Sequence, residues 1–332
     1  MNKSLPISLI ITSYNRKNEI IQCLDSVYKL KRIPNEIIVI DDGSSDNTYE
    51  LIAGKYANIT VVRNEKNYGA SFSRNLGALK CQNPYLWFLD SDSIIENYDC
   101  LESMFNTLIN NEHFGTIGGE YIKINDRDVY LRKTIYFNGE TITKRINKNE
   151  YKGMEVGYVA TNNCLIKKKL FCTIGGFDPA YIVLSEDCEL GFKILKMGFK
   201  NVVGMQYAVY HNINVSQRKN DMLRSITNRV RFVLKNYSLI QIILLPVYEI
   251  LFIFKAQHFE NLRKADPQDL KHIPRILRSL LKRGGLLKLF SLLLTGALYI
   301  TYLILAYTYN LFVLPLTIRA RLNPDYLKLL NE

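Results

Sequence analysis

Residues 5–93 alternate short apolar runs with stretches of helical spacing, and this alternation restricts the fold more than any other feature. LPISLIIT (5–12) precedes IIQCLDSVYKL (20–30), and EIIVI (36–40) precedes YELIAGKYA (49–57). ITVVR (59–63) is followed by ASFSRNLGALK (70–80), and YLWFLDSDS closes the series at 85–93. Strand and helix patterns in turn at this spacing imply βαβ units and a parallel sheet. The strand runs are apolar throughout, as expected when helices cover both faces of a sheet. In such sheets ligands bind outside the carboxyl ends of the strands. The polar turns fall there: 12–16 after the first strand, 41–45 after the second, 67–69 after the third and 90–92 after the fourth.

From about 114 to 161 the pattern is shorter and less regular, with hairpin signals in EYIKI and VYLRKTIYF. A helix is expected over 185–198, then strand-like sequence to His211, and a basic helix over 216–236. The last third differs. Residues 289–318 contain no charged side chain. Thirty uncharged residues exceed the roughly 20 that cross a bilayer as a helix. A membrane segment and a buried helical hairpin both satisfy that pattern. The tyrosines among the leucines and the basic flanks favour the membrane. Residues 237–254 are also apolar but carry Pro246 and Glu249, and 255–288 hold nine Lys/Arg against three Asp/Glu. If 237–254 crossed the bilayer, this basic stretch would lie outside, against the positive-inside tendency, so an in-plane or re-entrant placement is expected. Residues 270–284 set Leu270, Ile273, Ile276, Leu277, Leu280 and Leu281 on one face, which suits either an interfacial helix on anionic lipid or a surface helix packed on the domain.

The net charge of +12 points to an anionic partner. It concentrates beside apolar segments and no nucleic-acid motif occurs, so nucleic acid is not expected. The six cysteines are scattered without a CxxC pair, which reads as reduced core thiols rather than zinc or disulfides. MNKS runs directly into a strand-like segment, which leaves no room for a secretory signal and makes a cytoplasmic location the expectation.

A dinucleotide-binding fold wants GxGxxG after the first strand. The loop here is SYNRKNE, without glycine, and no P-loop occurs. A diphosphate at this edge would need another neutralising group. Asp90-Ser91-Asp92 supplies hard oxygen ligands of the kind that Mg²⁺ or Mn²⁺ takes alongside substrate phosphates and water. Alone, the pair is also an ordinary turn sequence.

Taken together, TSYNR (12–16), VIDDGSSDNT (39–48), NYGASFSRNLGAL (67–79), FLDSDS (88–93), GGFDPAY (175–181) and SEDCELGFKILKMG (185–198) resemble the family 2 glycosyltransferases. The resemblance covers about residues 5–215 and implies the GT-A fold: an α/β, Rossmann-like, mainly parallel sheet with helices on both faces. It implies an inverting, metal-dependent transfer of one sugar from a UDP-, GDP- or dTDP-sugar to an acceptor. By the match Thr12, Tyr14 and Arg16 line the nucleoside pocket, Asp42 bonds the base with Asp41 beside it, and Arg74 approaches the nucleotide. Asp90 and Ser91 face the ribose or a metal-bound water, Asp92 binds Mn²⁺ or Mg²⁺, and His211 is a further candidate ligand. Asp187 is the implied base, with Glu186 supporting it or binding acceptor. Each also has a structural reading: Thr12 ending a strand, Asp41 to Ser45 capping a helix, Arg74 pairing with a surface acid, Glu186 and Asp187 favoured by a helix dipole.

The QxxRW motif of the processive synthases in this family is absent, so single additions are expected rather than polymer extrusion. The SEDCEL stretch resembles glycan-extending rhamnosyl-, galactosyl- or glucosyltransferases. The expected organisation is a catalytic domain over 1–215, a basic amphipathic helical region over 216–288 and a hydrophobic, membrane-associated segment over 289–332. The whole would act at the cytoplasmic face of the membrane on a glycan or polyprenyl-linked acceptor. A polyprenyl-phosphate sugar synthase and a non-catalytic scaffold subunit of a glycan-assembly complex are the alternatives.

Overall fold

Strand β1 (Leu5–Ser13) is the middle of the first half of the fold, because both of its faces are apolar. It pairs in parallel with β2 (Pro34–Asp41) on one side and β4 (Tyr85–Asp90) on the other, and β3 (Thr60–Arg63) extends the sheet beyond β2. Helices α1 (Lys17–Val27), α2 (Thr48–Lys55) and α3 (Ala70–Lys80) make the crossovers. In this computed structural model the described residues are 4–119, 121–122, 128–135, 141–147, 154–182, 185–211, 221–245, 300–322 and 325–329.

Successive residues of a strand point to opposite faces, and each face has its own core. Leu9, Ile11, Val39, Trp87 and Leu89 pack against Ile20, Leu24 and Val27 of α1, and against Leu101, Met104 and Leu108 of α4 (Cys100–Ile109). Ile10, Ile38, Ile40, Leu86 and Phe88 pack against Ala78 on the other face, together with Phe171, Phe177 and Ile194. Burial on both faces is why no polar alternation marks these strands. At roughly 1.5–3 kcal/mol for each fully buried Leu, Ile or Phe, the two cores are the main stabilising term. Helix α3 lies so close to β1 that a Cβ on Gly77 would sit 2.6 Å from Ile10 Cγ2. A side chain there would push the helix off the sheet.

The second half adds strands on the β4 side. In chain order these are β5 (Ser93–Ile94), β6 (Phe114–Gly118), β7 (Tyr121–Ile122), β8 (Asp128–Ile135), β9 (Thr141–Asn147), β10 (Met154–Val156), β11 (Asn163–Lys167), β12 (Lys200–Val203) and β13 (Val209–His211). Helices α5 (Lys168–Thr173) and α6 (Glu186–Lys196) lie between β11 and β12. The main sheet has eight strands in the order β10-β12-β6-β11-β4-β1-β2-β3. Strand β11 runs antiparallel between β4 and β6, so its first residues meet the carboxyl end of β4, with Asn163 opposite Leu89. Trp87 Nε1 donates to Asn163 Oδ1 at 2.7 Å, and Asn163 Nδ2 donates to the Tyr207 carbonyl. The hairpin expected near 129–137 is present as β8 and β9. A three-stranded sheet β5-β13-β7 sits after β4, with His211 opposite Ser93. None of the six cysteines is disulfide-bonded; five are buried, as expected, but Cys172 is exposed. Burial pushes the Cys81 and Cys100 thiols up to about 12, which keeps them protonated and inert.

The chain divides into two compact units. The first holds residues 1–136, 141–215 and 323–332, and the second 137–140 and 216–322. In the second, α7 (Asp221–Asn236) buries Ile226 and Val230 with Leu303 and Ala306, and Arg231 donates to Thr317 Oγ1 at 2.7 Å. Among the described residues no single helix is long and apolar enough to cross a membrane. The pair Ile300–Phe312 and Leu314–Arg321 is bent by 69° and passes that test only when taken together. Residues 246–254, 270–284 and 289–299, which carry the rest of the expected membrane segments, lie outside the described residues.

Candidate active site

The turn after β1 is built around a left-handed Asn15 (φ 52°), a conformation asparagine tolerates better than most residues. Its backbone N–H donates to Ser44 Oγ at 2.9 Å, and its Oδ1 accepts from the Ser45 N–H at 2.8 Å. The TSYNR and DDGSS turns are therefore locked together. Tyr14 and Arg16 flank Asn15, Tyr14 exposed and Arg16 partly so. Thr12 sits in the ladder with Ile40 on one side and Asp90 on the other.

Asp41 and Asp42 are both buried. Asp42 accepts three hydrogen bonds, from Asn64 Nδ2 at 2.7 Å, the Tyr68 N–H at 3.0 Å and the Gly69 N–H at 2.8 Å. It thereby ties the 67–69 turn to the end of β2. Gly69 adopts φ +92°, and a Cβ there would lie 2.9 Å from Ile182 Cα, so that turn admits only glycine without displacement. Asp41 accepts from the Ser44 N–H at 3.3 Å and faces Arg63 Nε at 3.4 Å. Burial holds its carboxyl above the ordinary range, only partly opposed by Ser44 and Arg63. Neither aspartate starts α2. That task falls to Asp46, which accepts from the Thr48 N–H at 3.1 Å.

The turn after β4 carries Asp90, Ser91 and Asp92, the last two buried. Arg16 pairs with Asp92. Arg74 is buried and forked between two carboxylates, with Nη2 to Asp90 Oδ1 at 2.8 Å and Nη1 to Glu186 Oε1 at 3.0 Å. Burial alone would lower the Arg74 pKa, but Asp90 and Glu186 together hold it above its usual value. Arg74 is thus a strut from β4 to the start of α6, at the edge where it is expected to approach a nucleotide. Ser185 precedes α6 with φ 74°, and Glu186, Asp187 and Glu189 occupy its first turn. Asp187 is half-buried, and its Oδ1 accepts from the Cys188 N–H at 2.8 Å. The backbone of His211 pairs opposite Ser93, one residue beyond Asp92; its side chain lies outside the described residues.

The sites expected from sequence therefore share one edge of the sheet, and Asp92, Asp90, Arg74 and Glu186 form an almost continuous line of ion pairs. The sequence profile of the family described as "Glycosyl transferase family 2" matches residues 8–175, half of the chain. The chain belongs to glycosyl transferase family 2.

The O-antigen chain rhamnosyltransferase WbaN of Salmonella anatum is 26% identical over 219 residues, which is 64% of this chain and 68% of that protein. Among solved structures, the mannosyltransferase PcManGT from Pyrobaculum calidifontis, in complex with GDP-Man and Mn²⁺, superposes with a TM-score of 0.54 at 17% identity. The superposition covers 93% of this chain and 87% of that one. Staphylococcus aureus TarS 1-349 in complex with UDP-GlcNAc gives 0.54 at 19% identity, over 90% and 91%. These two likenesses establish a GT-A-like α/β fold for this family 2 chain.

A divalent cation is implied by the family. Among the described residues no group of three or more His, Cys, Asp or Glu side chains converges on one point. Asp90 and Asp92 are nonetheless hard oxygen donors one residue apart, and a cation shared with a diphosphate takes the remainder of its shell from phosphate oxygens and water. The donor set fits a metal that arrives with its substrate.

Proposed function

We propose that this glycosyltransferase moves one sugar, with inversion, from a nucleoside-diphosphate sugar to a glycan acceptor on a polyprenyl lipid at the cytoplasmic face of the membrane. The observation that supports it best is the order of polar groups along one sheet edge. Asp41 and Asp42 stand at β2, Thr12 to Arg16 at β1, Asp90 to Asp92 at β4, and Glu186 and Asp187 head α6 behind the Arg74 strut. A donor laid along this edge has its nucleoside against β2 and β1, where Thr12, Tyr14, Asp41 and Asp42 contact it, and its diphosphate against β4. Arg16, once displaced from Asp92, has phosphate oxygens as its alternative partner.

Asp92, with Asp90, Ser91 and His211 nearby, would hold Mn²⁺ or Mg²⁺, which offsets the charge that develops on the departing diphosphate. Asp187 accepts the proton of the acceptor hydroxyl. The acceptor oxygen bonds to the anomeric carbon as the bond from that carbon to the diphosphate breaks, and the diphosphate leaves with the electron pair. Glu186 keeps the Arg74 strut in place beside the base.

The membrane part of the proposal rests on the second unit. Ile240 is 71% exposed, Phe312 87% and Leu316 62%, with Arg319 and Arg321 following. Exposed apolar side chains beside basic ones suit an anionic lipid surface. Purified chain should hydrolyse or transfer from one donor in a panel of UDP-, GDP- and dTDP-sugars with Mn²⁺, and should sediment with vesicles of anionic phospholipid. No turnover of any donor, with no thermal shift by any nucleoside diphosphate, would sink the catalytic reading.

A further inference from the structure

Strand order converts the sheet edge into a ruler. Adjacent strands lie about 4.8 Å apart, so the head of β11 stands one spacing beyond the Asp90–Asp92 turn and three spacings, about 14 Å, beyond Asp41 and Asp42. With the nucleoside at β2 and β1 and the diphosphate at β4, the next group of the donor, its sugar, falls toward β11.

Asn162 heads that strand. Only 5% of it is exposed, and its carbonyl accepts from the Asp90 N–H at 3.3 Å and from Ser93 Oγ at 3.2 Å. Among the described residues, neither Oδ1 nor Nδ2 of Asn162 meets a hydrogen-bond partner. The next residue is the contrast. Both ends of the Asn163 amide are used by the fold, on Trp87 and on the Tyr207 carbonyl. A second unmet buried atom, Glu186 Oε2, belongs to the carboxylate that Arg74 links to Asp90. Leaving a buried polar group unmet costs about 1–3 kcal/mol, and folded chains keep few of them. A primary amide offers one acceptor and two donor hydrogens, and a sugar hydroxyl both donates and accepts.

We propose that Asn162 reads a hydroxyl of the transferred sugar, so that the sheet edge where the end of β4 meets the head of β11 is the seat in which the sugar is recognised. This deepens the donor orientation proposed above and rests on it.

The test separates a ligand-reading amide from a structural one. Full-length parent, Asn162→Ala and Asn162→Ser are melted without ligand. They are then titrated with Mn²⁺ plus UDP, GDP or dTDP, and with the corresponding sugar nucleotides. Asn162→Ala should melt at or above the parent temperature, bind the nucleoside diphosphate as the parent does, and lose about tenfold in affinity for the sugar nucleotide. Asn162→Ser, which keeps a hydroxyl, should lose less. A lowered melting temperature with both affinities falling together makes the amide structural and overturns the proposal; so does unchanged affinity for the sugar nucleotide. If the parent binds none of the nucleoside diphosphates, the donor site itself is misassigned and the sugar seat fails with it.

Discussion

Arg74 and Glu186 lie 112 residues apart in the chain and meet at 3.0 Å, guanidinium to carboxylate, with both side chains buried. The same guanidinium reaches Asp90 at 2.8 Å. One residue of α3 thus fixes the end of β4 to the start of α6. Replacing Arg74 by Met strands two carboxylates in a poorly solvated place. Urea denaturation should show a loss of about 3 kcal/mol. Arg74→Met combined with Glu186→Gln should recover part of that loss, because the uncompensated charge is removed. Arg74→Lys should not restore the parent value, since an ammonium lacks the planar fork that spans two carboxylates. Additive losses in the double variant would contradict the strut.

Asp42 is the acceptor for three donors that fix the 67–69 turn. Asp42→Ala should cost about 2–3 kcal/mol in the same assay, since two backbone N–H groups and an amide lose a charged partner. It should also weaken nucleoside diphosphate binding, because the turn that opens α3 loosens. A variant as stable as the parent would mean that the turn holds itself.

Asp187→Asn and Asp92→Ala should separate chemistry from donor binding. Asp187→Asn keeps shape and loses the base; turnover should fall about 10²- to 10⁴-fold with donor affinity near that of the parent. In Asp92→Ala the Mn²⁺-dependent part of the nucleotide thermal shift should disappear. Parent-like turnover in Asp187→Asn would reassign the base.

Tyr56 donates to Asp25 at 2.7 Å, and this bond is the main reason that the Asp25 carboxyl is held below its usual value. A carboxylate whose folded pKa is lowered adds stability that is present above the unfolded value and lost as pH falls through the folded one. The site is half exposed, so screening reduces the effect to about 0.5 kcal/mol. Tyr56→Phe should be less stable than the parent at pH 7, and the gap should narrow as pH drops below 3.8. A gap that stays constant with pH would show packing of the Tyr56 ring to be the whole effect.

The parallel half of the fold was legible because burial on both faces forces unbroken apolar runs, and ASFSRNLGALK is helix α3 to the residue. Other parts were not. Helix α4 carries helical spacing at Leu101, Met104, Phe105 and Leu108, but nothing local in NCLIK says that it enters the sheet antiparallel between β4 and β6, because a five-residue strand looks the same in either direction. The site was readable where several carboxylates stand at strand ends. The two acids that enclose Arg74 were not readable, because Asp90 and Glu186 come from segments distant in the sequence. Asn162 carries no motif at all. Its only sequence sign is a polar pair, Asn162-Asn163, at the head of an apolar strand, and which of the two the fold consumes depends on where Trp87 and Tyr207 end up.

Trp87 is the only tryptophan in the chain. It is fully buried and bonded to the residue next to Asn162. Its fluorescence is therefore a single-site signal, uncontaminated by other indoles, from a probe rooted in the strand that ends at Asp90. A change in emission on adding a sugar nucleotide would report events at β4 and β11 directly, with no label, and rapid mixing would time them.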